Sequence, residues 1–238
     1  MSSTATEPPD TGTPAATAGS PWRNPLVVTL AVLALAAVVV AGLAVRGAFG
    51  PYVPQPDSVD VGFAQDMSVH HRQAVEMASW ARDHSTDPRV RQLAFDIETT
   101  QNQQVGIMQG WLGLWNAPIL PDGGHMTWMA DAMHSGHSTG GMDGMTAEGG
   151  MTKMPGMATT EDLARLRATP PPQLDTVFLQ LMLRHHEGGV SMLEYGRDHA
   201  DVAEVRNLAS QMLTAQTAES QLMTSLLAER GAQPLPMN

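Results

Sequence analysis

One segment of the 238-residue chain occurs twice, and this duplication constrains the fold more than any other feature. Residues 60–112 align without a gap with residues 175–227. The recurring positions are polar as well as apolar, so duplication of one structural unit explains the match. The first part of the match pairs Asp60, Phe63, Met67, His70 and His71 with Asp175, Phe178, Met182, His185 and His186.

Each copy has the sequence pattern of a helical hairpin. In the first copy, Phe63, Met67 and Ala74 follow the three- and four-residue spacing of one helix face. Asp87 and Pro88 predict the start of the next helix, with Asp87 as N-cap and Pro88 at the first helical position.

The second copy predicts the same hairpin. Asp201 is expected to cap its second helix, with Glu204 completing a capping box, and the helix should end near Glu229 before Gly231. A short helix capped by Thr160 is expected just before this copy.

Two antiparallel hairpins that pack together form an all-α four-helix bundle with one long crossover. We therefore predict a bundle domain over residues 57–230, with the crossover at 116–158 and a C-terminal tail at 231–238.

The N-terminal part has a different character. Residues 1–24 form a polar, Pro- and Thr-rich tail that is expected to be disordered. Residues 25–46 are predicted to form a single transmembrane helix, because the run from Leu26 to Val45 is apolar, carries no charge and is long enough to cross a bilayer. A Pro-rich spacer follows at 47–56. The run lacks a convincing cleavage site, so we predict an uncleaved anchor in the cell membrane with the bundle on the extracytoplasmic side.

Composition excludes some partners and ligands. A net charge of −11 without a Lys/Arg cluster argues against nucleic acid. The absence of cysteine excludes disulfides and thiolate metal sites, which leaves nitrogen, oxygen and thioether ligands. The 17 methionines include a dense group in the crossover that calls for an explanation.

When the two helices of the first hairpin lie antiparallel on either side of their turn, His70 is level with Gln101 and Gln104 inside the bundle. Met67 lies one turn before His70 on the same helix face. Neighbouring residues on a helix diverge by about 100°, so His71 is expected at the edge of the buried face.

The same antiparallel arrangement places His185 level with Gln216 and Glu219 in the second hairpin. Two interpretations stay open at this point. The inner histidines either form hydrogen bonds with these Gln and Glu side chains, or they bind a metal together with methionine. Under the second interpretation, the candidate bundle ligands are Met67, His70, His71, Met77, Met182, His185, His186, Met192 and Glu219.

The crossover is the other candidate metal-binding segment. Exposed methionine in a Gly/Ser-rich segment contributes no core packing, and soft thioethers with imidazoles favour Cu(I). Another soft or borderline ion would also fit, and the alternative is a low-complexity linker of incidental composition. The candidate ligands here are His125, Met126, His134, His137, Met142 and Met145.

Several catalytic classes lack their sequence patterns. Neither copy has the Glu-x-x-His element of di-iron carboxylate bundles, and no phosphate loop or His-Glu-x-x-His element is present. The pattern therefore favours binding over catalysis, and a bundle-centred metal oxidoreductase is the least favoured function.

The element Asp-x-x-Phe-x-x-x-Met-x-x-His-His at 60–71 and 175–186, with Gln-x-x-Glu-x-x-x-Met at 216–223, resembles the domain of unknown function 305 family. The resemblance covers about residues 57–230. It implies a ferritin-like extracytoplasmic bundle, and copper binding or tolerance through Met and His in some members. The copies differ at Gln104 against Glu219 and at Gln73-Ala74 against Gly188-Gly189, so two identical sites are not expected.

The sequence thus predicts a membrane-anchored protein that binds copper for sequestration or tolerance and is not an enzyme. The alternative is a metal-free interaction module of the cell envelope, in which the histidines are structural. The sequence identifies no protein partner.

Overall fold

A computed structural model describes residues 24–49, 52–130 and 150–238 of the chain, without the side chains of residues 47–49. The chain divides into two compact units, Met1–Tyr52 and Val53–Asn238. Residues 1–24 were predicted to be disordered, and all of them except Asn24 lie outside the described residues.

The first unit contains helix α1, Pro25–Phe49. Its segment Pro25–Arg46 has a mean hydropathy of 2.9, and none of the segment is buried in the protein. By length and composition it could cross a bilayer, and an N-terminal secretion signal has the same character.

The second unit is an all-helical bundle, which confirms the predicted fold class. Its helices are α2, Val59–His84; α3, Pro88–Leu114; α4, Thr160–Ala168; α5, Gln173–His199; and α6, Ala203–Glu229. Helices α2 and α3 form the first hairpin, and α5 and α6 form the second, with α2 packed against α5.

The first hairpin has the cap that its sequence predicts for α3, and a further cap at the start of α2. The Asp87 side chain accepts a hydrogen bond from the Arg89 backbone N–H, and Pro88 begins α3. At the start of α2, the Ser58 hydroxyl accepts from the Val61 N–H. These bonds satisfy N–H groups that the helix itself leaves free.

The caps predicted for the second half were wrong. The N-cap of α6 is Val202, which makes no side-chain capping bond, so Asp201 and Glu204 do not form the expected capping box. The buried Asp60 carboxylate of the first hairpin instead accepts from the Asp201 and Val202 N–H groups, at 3.2 and 2.9 Å. A negative charge at a helix N-terminus is favourable, and here it also ties the two hairpins together. The cap of α4 is Thr159, one residue before the predicted Thr160.

The apolar core consists of two clusters. One contains Phe63, Met67, Met108 and Met192, and the other contains Met77, Phe178, Met182 and Met223. On α2 the first cluster ends at Met67 and the second begins at Ala74, so the His-His pair lies between them. The duplicated histidines therefore form a polar layer in the middle of the bundle.

Candidate metal centre

Four histidine rings form a row across the bundle where α2 passes α5. The centroids of the inner rings, His70 and His185, lie 3.8 Å apart with an interplanar angle of 36°. Each outer ring, His71 or His186, lies 6.4 Å from the inner ring on its own helix. All four residues are buried, with at most 1% of their surface exposed. The structure thus brings the predicted His-His pairs together, and we call this row the histidine layer.

The outer histidines, and not the inner ones, bond to the partner helix of each hairpin. His71 Nε2 lies 2.9 Å from Gln104 Oε1, and His186 Nε2 lies 2.7 Å from Glu219 Oε2. Since both acceptors are oxygens, each Nε2 carries the proton and donates it. The other nitrogen of each outer ring, Nδ1, has no hydrogen-bond partner among the described residues.

One expectation about orientation was therefore wrong, and one of the two open interpretations lacks the hydrogen bonds that it requires. His71 does not lie at the edge of the buried face but is fully buried. His70 and His185 do not bond to the predicted Gln and Glu side chains. The reason is that α2 packs against both α3 and α5. Adjacent side chains on α2 point about 100° apart, so both histidines of the pair point into the interior of the bundle.

Several polar atoms of the layer have no hydrogen-bond partner among the described residues. They are both ring nitrogens of His70, Nδ1 of His71 and His186, Nε2 of His185, both amide atoms of Gln101, and Oε1 of Gln216. A buried polar group without a partner costs about 1–3 kcal/mol. Native interiors contain few such groups, so a concentration of them in one layer points to a ligand.

Burial lowers the pKa of His70 and of His71 to about 3, because an imidazolium would lose its solvation there. The pKa of His185 is also lowered well below its usual value by burial and by repulsion from His70. Repulsion from His186 adds to the shift at His70, and the nearby Pro155 carbonyl opposes it without meeting hydrogen-bond geometry. The inner rings are consequently neutral at pH 7 and keep the lone pair that a metal requires.

Thioethers flank the layer on both sides. Met67 and Met192 belong to one core cluster, and Met77 and Met182 belong to the other. All four are completely buried. Met67 and Met182 precede the inner histidines by one helical turn, whereas Met77 and Met192 follow the outer histidines by six residues, about 9 Å along the helix. Of the predicted bundle methionines, only Met67 and Met182 are thus next to the histidine layer, and Glu219 lies at its outer edge.

This donor set fits a soft monovalent cation. Neutral imidazoles and thioethers are the ligands that Cu(I) prefers, whereas hard cations require several carboxylates. Within the described parts of the chain, no three His, Asp or Glu side chains form a cluster that could hold a metal. A site here would therefore use thioethers beside imidazole, as the sequence analysis predicted.

The described ends of the crossover pack against both hairpins, with Trp128 beside Phe63 of the first and Gly156 beside Gly188 of the second. Met126, Met129 and Met154 are at most 4% exposed and belong to a core cluster. The expectation that the methionines of the crossover are exposed was thus wrong for these three, and Met126 is a core residue. His134, His137, Met142 and Met145 lie outside the described residues.

Asp66 is the residue that fixes the crossover, and sequence reasoning missed it. Its buried carboxylate accepts from His125 Nδ1 at 2.6 Å, from the Met126 N–H at 2.7 Å and from Trp128 Nε1 at 2.8 Å. The hydrogen bond to Asp66 raises the pKa of His125. His125 also pairs with Met151 through two backbone hydrogen bonds, of 2.8 and 2.7 Å.

The signal that could have identified Asp66 is a difference between the copies. The second copy has Leu181 at this position, which is a core residue. An acid at a position that is apolar in the other copy needs polar partners, and in the first copy the crossover provides them.

Comparisons with known proteins agree with this architecture. The crystal structure of a putative secreted DUF305 protein from Streptomyces coelicolor is 41% identical, with a TM-score of 0.65, and the match covers 76% of this chain and 98% of that one. A DUF305 fragment from Deinococcus radiodurans is 30% identical, with a TM-score of 0.56 and coverages of 75% and 99%.

A more distant structure, CopM in the Cu(I)-bound form, shares the fold at 20% identity and a TM-score of 0.52, with coverages of 71% and 96%. No curated protein matches the chain. The family model for the domain of unknown function DUF305 matches residues 60–227, which include both hairpins and the crossover. The chain belongs to the DUF305 family.

Proposed function

We propose that this protein binds Cu(I) in the histidine layer and at the crossover, and that it sequesters or buffers copper outside the cytoplasm. The observation that carries the proposal is the row of buried imidazoles, whose inner two rings are neutral and which have nitrogens without a hydrogen-bond partner among the described residues, between two methionine-containing clusters. A bound cation would give the nitrogens that carry a lone pair a partner that the described part of the chain does not supply.

The likeness to CopM supports the choice of metal. CopM has been crystallised in Cu(I)-, Cu(II)- and Ag-bound forms. Cu(I) and Ag(I) are soft ions that bind thioether and imidazole, which are the donors concentrated here. In our proposal, the inner ligands are His70 and His185 with Met67 and Met182 beside them. Glu219 holds His186 and supplies a negative charge close to the cation.

The remaining candidate ligands have different proposed roles. His71 and His186 offer their Nδ1 atoms, and Met77 and Met192 belong to the two core clusters beside the layer. The crossover would add His134, His137, Met142 and Met145, while His125 is held by Asp66 and contributes to the position of the segment.

The proposed location depends on α1. Its exposed apolar surface would be covered by lipid if the helix is an anchor, and it would be removed with a cleaved secretion signal. A secretion signal would carry the bundle to the extracytoplasmic side, and we propose the same side for an anchored bundle. We propose the anchored form.

Copper titration of the full-length protein in detergent tests the function. We expect more than one equivalent of Cu(I) to be withheld from a competing chelator at pH 7. The double variant His70→Leu/His185→Leu should lose the equivalent held in the histidine layer. The control His84→Leu/His199→Leu changes a matched pair of exposed histidines and should lose none.

A second variant separates the two binding segments. Replacing His134, His137, Met142 and Met145 by alanine should remove the crossover equivalents and leave the layer equivalent intact. Circular dichroism should show that all variants keep their helices. If the wild-type protein withholds no Cu(I) between about pH 6 and 8, copper binding is refuted and the metal-free interaction module becomes the better interpretation.

A further inference from the structure

A surface groove between α5 and α6 leads to the histidine layer. It has a volume of about 420 Å³, and its lining includes His186, Glu187, Gln216, Thr217 and Ser220. Two of these residues, His186 and Gln216, are otherwise buried and belong to the layer. Gln216 Oε1 and His186 Nδ1 have no hydrogen-bond partner among the described residues. The groove therefore joins the surface to polar atoms that could accept a cation.

The charges beside the groove differ from those at the same place on the first hairpin. Glu187 lines the groove, and the Glu219 carboxylate bonds to His186 next to it. The first copy has Arg72 and Gln104 at these two positions. A cation is thus attracted to the second hairpin and repelled by Arg72 on the first, in addition to the attraction of the overall charge of −11.

Gly189 lies between the groove-lining Gln216 and the inner ring of His70. A Cβ atom at this position would lie 3.1 Å from His70 Cε1 and 3.6 Å from Gln216 Oε1. The missing side chain therefore brings the groove-lining Gln216 close to the inner ring of His70. The first copy has Ala74 at the equivalent position, and Ala74 is buried.

We infer that the groove between α5 and α6 is the entrance through which a soft monovalent cation reaches the histidine layer, passing Glu187 and Gln216 beside Gly189. This inference rests on the proposed copper binding. It adds that the two hairpins have different roles, since only the second is used for entry. The two differences between the copies, Gln104 against Glu219 and Ala74 against Gly189, then have one explanation.

A bulky side chain in the groove tests the entrance. Thr217 lines the groove, and its counterpart on the first hairpin is Asn102; both are exposed. Cu(I) is supplied from a weak chelator to the full-length protein, and uptake is followed by stopped flow; release is followed with a strong chelator in excess. We expect Thr217→Trp to slow both steps at least about tenfold without changing the equivalents bound, whereas Asn102→Trp leaves both rates unchanged.

A charge exchange tests the same route without blocking it. Glu187→Arg should lower the uptake rate about tenfold at low salt, and the effect should shrink as ionic strength rises. The matched control Arg72→Glu should leave uptake close to the wild-type rate.

The outcomes separate the entrance from the function. The kinetic phase that belongs to the layer is the one that disappears in His70→Leu/His185→Leu. Unchanged rates in Thr217→Trp and Glu187→Arg, or equal slowing by Asn102→Trp, would overturn the entrance while copper binding persists. A wild-type protein that binds no Cu(I) in the layer would instead overturn the proposed function.

Discussion

Replacing Asp66 by Asn tests whether one buried carboxylate holds the crossover against the bundle. The side chain of Asp66 is 1% exposed and accepts three hydrogen bonds. Oδ2 accepts from the Met126 N–H and from Trp128 Nε1, and Oδ1 accepts from His125. Asn has a single acceptor oxygen, so at least one of the two sides loses its acceptor.

The least costly arrangement keeps the Asn oxygen on Met126 and Trp128 and turns the amide toward His125. The ring of His125 must then lose its charge-assisted bond, which contributes about 1.5–3 kcal/mol. We expect the free energy of unfolding to fall by about 2–3 kcal/mol, as measured by urea denaturation with tryptophan fluorescence. The pKa of His125 should also fall, because Asn in place of Asp66 no longer raises it while burial still lowers it, and NMR can follow this change.

A matched control makes the result interpretable. Asp83→Asn removes a carboxylate from the same helix, but the Asp83 side chain is 57% exposed, so stability should change by less than about 0.5 kcal/mol. Equal stability of Asp66→Asn and Asp83→Asn, or a His125 pKa that does not move, would show that Asp66 does not fix the crossover.

Two further predictions concern the apo protein. Because the pKa values of His70 and His71 in the folded protein are about 3 and those in the unfolded chain are near 6.5, protons bind preferentially to the unfolded chain between these values. The free energy of unfolding should be highest above pH 6.5, and below pH 6.5 it should fall by about 1.4 kcal/mol per pH unit for each such histidine. Urea midpoints that stay constant from pH 7 to 5 would contradict this. Gly188→Ala should lower stability by about 1–3 kcal/mol, because its Cβ would overlap the Pro155 carbonyl. Gly106 lies on α3 with open space around it, so Gly106→Ala should instead raise stability by about 0.5–1 kcal/mol. Equal melting temperatures of the two variants would refute the close contact at Gly188.

The fold could be predicted because its determinants are local and occur twice. Helical periodicity, the Asp87-Pro88 start of α3 and the end of α6 at Glu229 are all properties of short segments. Duplication then identified two hairpins, and two hairpins have few ways to bury their apolar faces. The all-helical bundle followed from these features alone.

The errors concern contacts between segments that are distant in sequence. Asp60 replaces the predicted capping box of α6 across 142 residues, from Asp60 to Val202. His71 is buried because α2 has helices on two sides, which the pattern of a single hairpin does not reveal. Met126 is in the core because Asp66 holds its backbone there. No local pattern contains this information.

The differences between the copies carry more information about function than the positions they share. The shared positions build two hairpins and the histidine layer, and two identical hairpins would give a layer with two equivalent sides. Asp66 against Leu181 attaches the crossover to one side, and Gln104 against Glu219 places the negative charge on the other. Gly188 makes room for the segment at Pro155, and Gly189 brings His70 near Gln216. Since Asp66, Gly188 and Gly189 make contacts that only one hairpin makes, and Glu219 gives only one side a negative charge, these asymmetries of the sequence follow from an asymmetric use of the layer.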